Sequence, residues 1–284
     1  MSLGILTNVA ATYAENNLNQ TQGSLQTVLQ QLSSGSRINS GADDAAGLSV
    51  ADGLKANQAA LNQSAQNAQN GVGLLQTADG ALSQVTNLLT RAVTLATEAA
   101  NGGLTTAQAN AADTEFQSIL TEIGNIGTST NFNSNAVFSA TATDFVVSDG
   151  TTSGTTTISA TIGALSAAGV GTATGGGAGQ AFTATDVLTS QASAKTTLTD
   201  ITAAIADVAN QRGAIGANIN QLNAAANVAS SESVNLSSAE SAIRSTNYGQ
   251  ATSDLAKFQV LSQTGISALA QANSVQQEIL KLLQ

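Results

Sequence analysis

The sequence predicts a mainly α protein: a long antiparallel helical hairpin or coiled-coil bundle, made of a terminal domain and a rod domain, with a small β-containing insert. Three observations carry this. Two apolar stripes recur every seventh residue without a miss: Leu54, Leu61, Ala68, Leu75, Leu82, Leu89 and Ala96, then Ile201, Val208, Ile215, Leu222, Ala229, Leu236 and Ile243. Proline is absent from all 284 residues, so nothing locally forbids very long helices. Aromatics are only 3% of the chain and tryptophan is missing, which leaves Ala, Leu, Ile and Val to fill the interior. That suits thin helical layers, and an elongated object, better than a thick core.

The first segment, 3–32, carries Leu6, Val9, Tyr13, Leu18, Leu25, Val28, Leu29 and Leu32 at roughly helical spacing, with Glu15 its only charge. Alone, so weakly charged a helix is marginal, and it is expected to become ordered when neutral surfaces pack around it. Next comes LSSGSRINSGADDAAGLSVA, 32–51, where Arg37, Asp43, Asp44 and three glycines crowd together. Asp43 or Asp44 reads as the cap of the following helix. Arg37 is expected to pair with one of these aspartates or with a neighbouring subunit. Gly35 and Gly41 read as positions that need special backbone angles.

The helix over 44–100 adds a second stripe, Ala65, Val72, Ala78, Val85, Ala92 and Ala99, and stops at Gly102 and Gly103. Fully helical, it would be about 85 Å long. A shorter helix over 105–126 puts Phe116, Ile119, Leu120 and Ile123 on one face. Residues 139–185 differ in kind, being rich in Gly, Ser and Thr. Val146, with Ile158, Ala160 and Ile162 at alternate positions, predicts a β-hairpin turning near Asp149-Gly150. GVGTATGGGAGQ, 169–180, reads as loop. The insert is too small for a substantial core of its own. A helix over 190–243 then supplies the second seam, and pairing of the two seams is the simplest way to cover both. The final segment holds Leu255, Phe258, Leu261, Ile266, Leu269, Ile279, Leu280, Leu282 and Leu283. The expected division is a terminal domain of 1–42 with 244–284, a rod domain of 43–138 with 186–243, and the insert 139–185.

Composition removes many functions. With no Cys and no His there is no thiol nucleophile, disulfide, Cys-rich metal site or imidazole base. Net charge is −10, and between Arg91 and Lys195 no basic residue offsets Glu98, Asp113, Glu115, Glu122, Asp144, Asp149 and Asp186, so nucleic-acid binding is not expected. No apolar run is long enough to span a bilayer. No Lys or Arg precedes Arg37, so a cleaved secretory signal is not expected either. Asp43-Asp44 is the only adjacent carboxylate pair and serves better as a cap than as a catalytic dyad. Gly71-Val72-Gly73 and the glycines of 169–179 lack the lysine and strand-to-helix context of a phosphate loop. The sequon Asn62-Gln63-Ser64 sits mid-helix. No catalytic, cofactor or metal site is assigned, and the chain does not read as an enzyme.

Several stretches carry a resemblance. NNLNQTQGSLQTVLQQLSSGSRINSGADDAAGLSVADGLKANQ, continuing through NAQNGVGLLQTADGALSQVTNLLTRAV to NFNS, is one. LTSQASAKTTLTDITAAIADVANQRGAIGA and NLSSAESAIRSTNYGQATSDLAKFQVLSQTGISALAQAN, with the closing leucines, are the others. In these the chain resembles the bacterial flagellins over about four fifths of its length. The resemblance implies a filament subunit whose terminal coiled coil, from both ends, lines a hollow tube, with the rod domain around it and the insert outside. Leu18, Leu25, Leu29, Leu32, Leu255, Phe258, Leu261, Ile266, Leu269, Ile279, Leu280, Leu282 and Leu283 would form its polymerisation core.

The resemblance further implies export unfolded through the flagellar type III apparatus, an extracellular location, a chaperone on the C-terminal segment, and cap and hook-junction proteins as partners. It makes Gly35, Arg37, Ile38, Asn39, Ser40, Gly41, Asp43 and Asp44 a joint between inner and rod domains that plant immune receptors also read. Thr90, Arg91, Leu95 and Glu115 map onto an animal Toll-like receptor surface, although Val93 and Thr94 stand where the family has an Arg-Glu pair and Thr90 where it has glutamine. The closing leucines resemble a segment sensed by intracellular receptors. Hook–filament junction proteins share this helical plan and are the rival reading; the full-length rod segments and closing EILKLLQ favour flagellin.

Overall fold

The structure, a computed structural model, describes residues 8–148, 156–172 and 178–282, and leaves out the side chains of 172, 178, 276 and 278–282. Among the described residues five helices dominate: α1 Val9–Ser34, α2 Ala45–Ala99, α3 Thr106–Ser129, α4 Gln191–Arg244 and α5 Tyr248–Leu282. Each begins on a side chain that accepts an otherwise orphaned N–H. Asn8 Oδ1 takes the Ala11 N–H at 3.0 Å, Asp44 the Gly47 N–H at 2.8 Å, and Asn247 the Gln250 N–H at 3.2 Å. Ser190 Oγ takes that of Ser193 at 3.2 Å. At α3 the capping is reciprocal: Thr105 Oγ1 accepts from the Gln108 N–H, and Gln108 Oε1 accepts from the Thr105 N–H at 2.9 Å. Past α2, Gly102 takes φ +57°, as expected of a stop.

The chain divides into two compact units, 57–234 and 1–56 with 235–284, so that α2 and α4 contribute to both. Within 57–234 the two long helices run antiparallel. Asn62 Oδ1 accepts from Ser233 Oγ at 2.8 Å, a Cβ on Gly71 would lie 3.0 Å from Leu222, and Arg212 holds Asp79 at 2.7 Å. The heptad stripes meet there: Leu75, Leu82, Leu89, Ile201, Val208, Ile215 and Leu222 are essentially fully buried. Phe116, Ile119, Leu120 and Ile123 bring α3 onto the same core.

Among the described residues between α3 and α4, six short strands form three antiparallel pairs. The predicted one exists, β3 Thr143–Val146 against β4 Thr157–Ala160, with Ile158 and Ala160 buried in alternation. Its turn near Asp149-Gly150 lies outside the described residues. Two pairs were not expected. β1 Asn131–Phe132 and β2 Asn135–Ala136 flank Asn133 and Ser134, both at positive φ, in a two-residue loop without the usual glycine. The stretch 169–180, read as loop, contributes β5 Val170–Thr172 and β6 Ala178–Gln180. Glycines gave that pair no side-chain alternation to betray it. They allow close approach instead, because a Cβ on Gly171, at φ +78°, would lie 2.5 Å from the Val208 nitrogen of α4.

Lacking a core of its own, the segment joins the helical one. Ile158, Ala160, Ile162, Leu165, Val170 and Phe182 all belong to the cluster of α2, α3 and α4. Phe182 meets Phe116 edge to face, with ring centroids 6.1 Å apart. Gln211 donates to the Ile162 carbonyl, Asp207 accepts the Gln180 N–H at 2.8 Å, and Asp113 accepts that of Leu188 at 2.8 Å. Asp186, buried, accepts from the N–H and hydroxyl of Thr183. Burial and the neighbouring Asp186 carboxyl push the Asp200 carboxyl above its ordinary pKa.

Candidate assembly surface and its joint

The unit formed by 1–56 and 235–284 is built around one helix pair, α1 against α5. They run antiparallel: Asn8 Nδ2 donates to the Ala272 carbonyl at 2.9 Å, Gly265 faces Leu18, and Thr246 Oγ1 donates to the Gln31 carbonyl at 3.3 Å. Two helices can cover only the stripe that faces the partner. Leu18, Leu25, Leu32, Leu255, Phe258 and Leu269 are accordingly half-buried. Leu29, Leu261 and Ile266 are left 48%, 43% and 51% exposed. Val9, Tyr13, Val260 and Val275, which the sequence reading did not assign to an assembly core, are exposed beside them. The side chains of Ile279, Leu280 and Leu282, and all of Leu283, lie outside the described residues.

The joint is assembled from both ends of the chain. α1 ends on Gly35 at φ +71°, whose N–H bonds the Gln31 carbonyl. The Gly35 carbonyl accepts the Thr246 N–H at 3.0 Å, and Ser36 bridges to Ser245. Gly35 also lies so close to Tyr248 that a Cβ there would be 2.9 Å from its hydroxyl oxygen. Ile38, 1% exposed, is the buried centre of the turn. Asn39 donates to the Ser36 carbonyl at 2.8 Å.

The two aspartates divide their work. Asp44 caps α2, whereas Asp43 accepts the N–H groups of Asn39 and Ser40 at 3.0 and 2.8 Å and the Ser40 hydroxyl at 3.1 Å. Those donors hold the Asp43 carboxyl below the usual carboxylate range.

Two expectations change here. Arg37 pairs with neither aspartate; its guanidinium donates to the Ile243 carbonyl at 2.9 Å and its N–H to the Arg244 carbonyl at 2.7 Å. It thereby closes the C-terminal end of α4, where unsatisfied carbonyls and the helix dipole favour a cation. The ion-pairing arginine is Arg244, 3.7 Å from Asp52 and 3.6 Å from Glu240. Gly41 takes no positive φ, and a Cβ there would meet nothing closer than Leu48 at 3.9 Å. The glycine pressed by neighbours is Gly47, where a Cβ would fall 2.4 Å from the Asp44 carboxylate and 2.9 Å from Ile38. Residues 244–248, which close this joint from the other end of the chain, had no periodic signal in the sequence.

On α2, Arg91 grips Glu115 of α3 through two hydrogen bonds, 2.7 and 3.1 Å, with both side chains about half exposed. The pairing raises the Arg91 pKa and lowers that of Glu115. Thr90 is exposed and donates to the Thr86 carbonyl, while Leu95 is only 4% exposed and faces the core. Among the described residues no group of three or more Asp or Glu could hold a metal ion, and no helix is long and apolar enough to cross a membrane.

Comparison with known proteins gives this geometry a family. Residues 5–143 match the bacterial flagellin N-terminal helical region, and 198–283 match the C-terminal helical region. The flagellar filament 30.7 kDa core protein of Treponema maltophilum is 32% identical, over 97% of this chain and 98% of its own length. The chain belongs to the bacterial flagellin family. A flagellin of Halalkalibacterium halodurans is 30% identical, over 97% of this chain and 98% of its own. The crystal structure of a Bacillus cereus flagellin, 26% identical, covers 57% of this chain and 88% of its own, with a TM-score of 0.45. Both matched family regions contribute to both compact units of this flagellin, because α2 lies wholly in the first and most of α4 in the second.

Proposed function

We propose that this flagellin is the structural subunit that self-assembles into a bacterial flagellar filament. One observation carries the assembly reading: apolar side chains are left uncovered along the α1–α5 pair, Val9, Tyr13, Leu29, Val260, Leu261, Ile266 and Val275, while 57–234 has a buried apolar core of its own. Identical copies can cover such a surface, and each large side chain buried contributes roughly 1.5–3 kcal/mol before ordering entropy is subtracted.

In this reading 1–42 with 244–284 forms the filament core, 43–138 with 186–243 the rod, and 139–185 the outward insert. The assigned polymerisation residues, Leu18, Leu25, Leu29, Leu32, Leu255, Phe258, Leu261, Ile266, Leu269, Ile279, Leu280, Leu282 and Leu283, meet their counterparts in neighbouring subunits. The subunit travels unfolded through the flagellar type III apparatus to an extracellular filament, its C-terminal segment held by a chaperone beforehand. It then contacts cap and hook-junction proteins. The joint from Gly35 to Asp44 and the surface of Thr90, Arg91, Leu95 and Glu115 are the places host innate receptors would engage; exposure of Leu95 would require α2 to shift, since it faces the core.

Electron microscopy of concentrated full-length protein tests the assembly. Filaments are expected from the intact chain, and a soluble, partly helical monomer from a chain lacking 250–284. Normal filaments from the truncated chain would refute the terminal core. Labelled subunits should run the whole length of native filaments; a few copies at the base would make this a junction protein.

A further inference from the structure

The sequence contains two Asn-Gly pairs, Asn70-Gly71 and Asn101-Gly102, in opposite surroundings. Asn70 and Gly71 lie in the middle of α2, with Gly71 buried against Leu222 and Phe145. Asn101 and Gly102 lie in the turn after α2. Asn101 is exposed on an open groove with Val93, Thr94, Thr97, Glu98 and Ala100, and Gly102 has φ +57°. The Asn101 N–H bonds the Glu98 carbonyl at 3.2 Å, and among the described residues neither its side chain nor the Gly102 N–H is held by a hydrogen bond.

We propose that Asn101 is a site of spontaneous covalent modification, converting to aspartate and isoaspartate with water as the only co-reactant, while Asn70 is protected by its helix. Glycine next to asparagine favours the reaction because no Cβ hinders its amide nitrogen. The Gly102 nitrogen, its proton given up to solvent base, bonds to the Asn101 Cγ, and the side-chain nitrogen leaves as ammonia. Water then adds to one of the two carbonyls of the resulting succinimide. Breaking the ring bond at Cγ yields aspartate; breaking the one at the main-chain carbonyl yields isoaspartate.

At Asn70 the same closure is blocked twice. The Gly71 N–H is spent on the helix ladder, and the turn must open before the ring geometry can form. At Asn101 the product matters structurally. A new carboxylate appears one turn from Glu98 at the C-terminal end of α2, where the dipole disfavours it, and isoaspartate lengthens the main chain of the α2–α3 turn.

The test incubates full-length soluble protein in mildly alkaline buffer, folded or in concentrated urea. Cleavage after Glu98 and Glu115 isolates Asn101, cleavage after Lys55 and Arg91 isolates Asn70, and mass spectrometry follows replacement of NH2 by OH at each. In the folded protein Asn101 is expected to convert at least about tenfold faster than Asn70, and in urea the two rates should converge, because only the fold separates them. Equal rates in the folded protein would overturn the proposal. So would an Asn101 that stays intact in the folded chain while reacting in urea.

Discussion

Leu89 and Leu261 are the same side chain on long helices of the same molecule, yet Leu89 is 0% exposed and Leu261 is 43% exposed. The first lies in unit 57–234, where α2 and α4 are joined by α3 and by strand residues such as Ile158 and Val170. The second lies in the other unit, where α5 packs along α1. The seams show the same gradient. Leu61 to Ala96 and Ile201 to Ala229 are buried, while Leu54, Leu236 and Ile243, in the terminal unit, are half-exposed. One heptad pattern therefore has two outcomes: where further layers cover it, it builds a core, and elsewhere it leaves apolar side chains partly exposed.

Charge follows the same division. Of the 18 acidic residues, Asp79, Glu98, Asp113, Glu115, Glu122, Asp144, Asp149, Asp186, Asp200, Asp207 and Glu232 lie in 57–234, against only Arg91, Lys195 and Arg212. Both arginines are engaged, with Glu115 and Asp79. The terminal unit is nearly neutral and so can be packed against copies of itself with little repulsion.

The sharpest way to break the comparison is to truncate both leucines. Leu89→Ala should destabilise the monomer by about 2–5 kcal/mol in denaturant melts, through lost transfer energy and a cavity. Leu261→Ala should cost the monomer less than about 0.5 kcal/mol, as exposed substitutions do, and still slow polymerisation in a seeded turbidity assay. Equal monomer losses would mean that the terminal helices bury each other fully.

A smaller effect distinguishes the joint glycines. Gly35→Val forces a β-branched residue into the left-handed region beside the Tyr248 hydroxyl, costing about 1–2 kcal/mol and altering filament shape by microscopy. Gly41→Val should leave both unchanged. If the two behaved alike, the turn would not depend on the Gly35 backbone angle.

The least effect is expected at Asp200. Its folded-state pKa is raised, so the contribution to stability is fully present below the unfolded pKa and is lost as pH rises through the folded one. Asp200→Asn, which can still accept from Gln180 and can donate to Asp186, should therefore raise the melting temperature at neutral pH, with the gain shrinking as pH falls toward the ordinary aspartate range. A gain that grew on acidification would reverse the assignment.

The helices were legible because their signal is periodic and local. Seven-residue stripes, the absence of proline and side chains able to cap each start are properties of neighbouring residues, and α2, α3 and α4 lie within three residues of where they were read. The hairpin of β3 and β4 was legible through the alternation of Ile158 and Ala160. The pair β5–β6 was not, because glycines carry no alternation and its reason for existing is the proximity of Gly171 to Val208, almost forty residues away in sequence.

The turn from Gly35 to Asp44 was legible as a break between two helices and not in its bonding. Arg37, close to Asp43 and Asp44 in sequence, was expected to pair with one of them or with a neighbouring subunit. The fold instead brings the end of α4 to Arg37, and carbonyls from residues more than two hundred positions distant take its hydrogen bonds.

Sequence alone determined which residues are helical and which faces are apolar, since a 3.5-residue repeat admits little else. Only the tertiary structure decided which stretch of each apolar face is covered within the chain and which is left for another. Cover depends on how many layers meet at a point in space, and no local pattern encodes that.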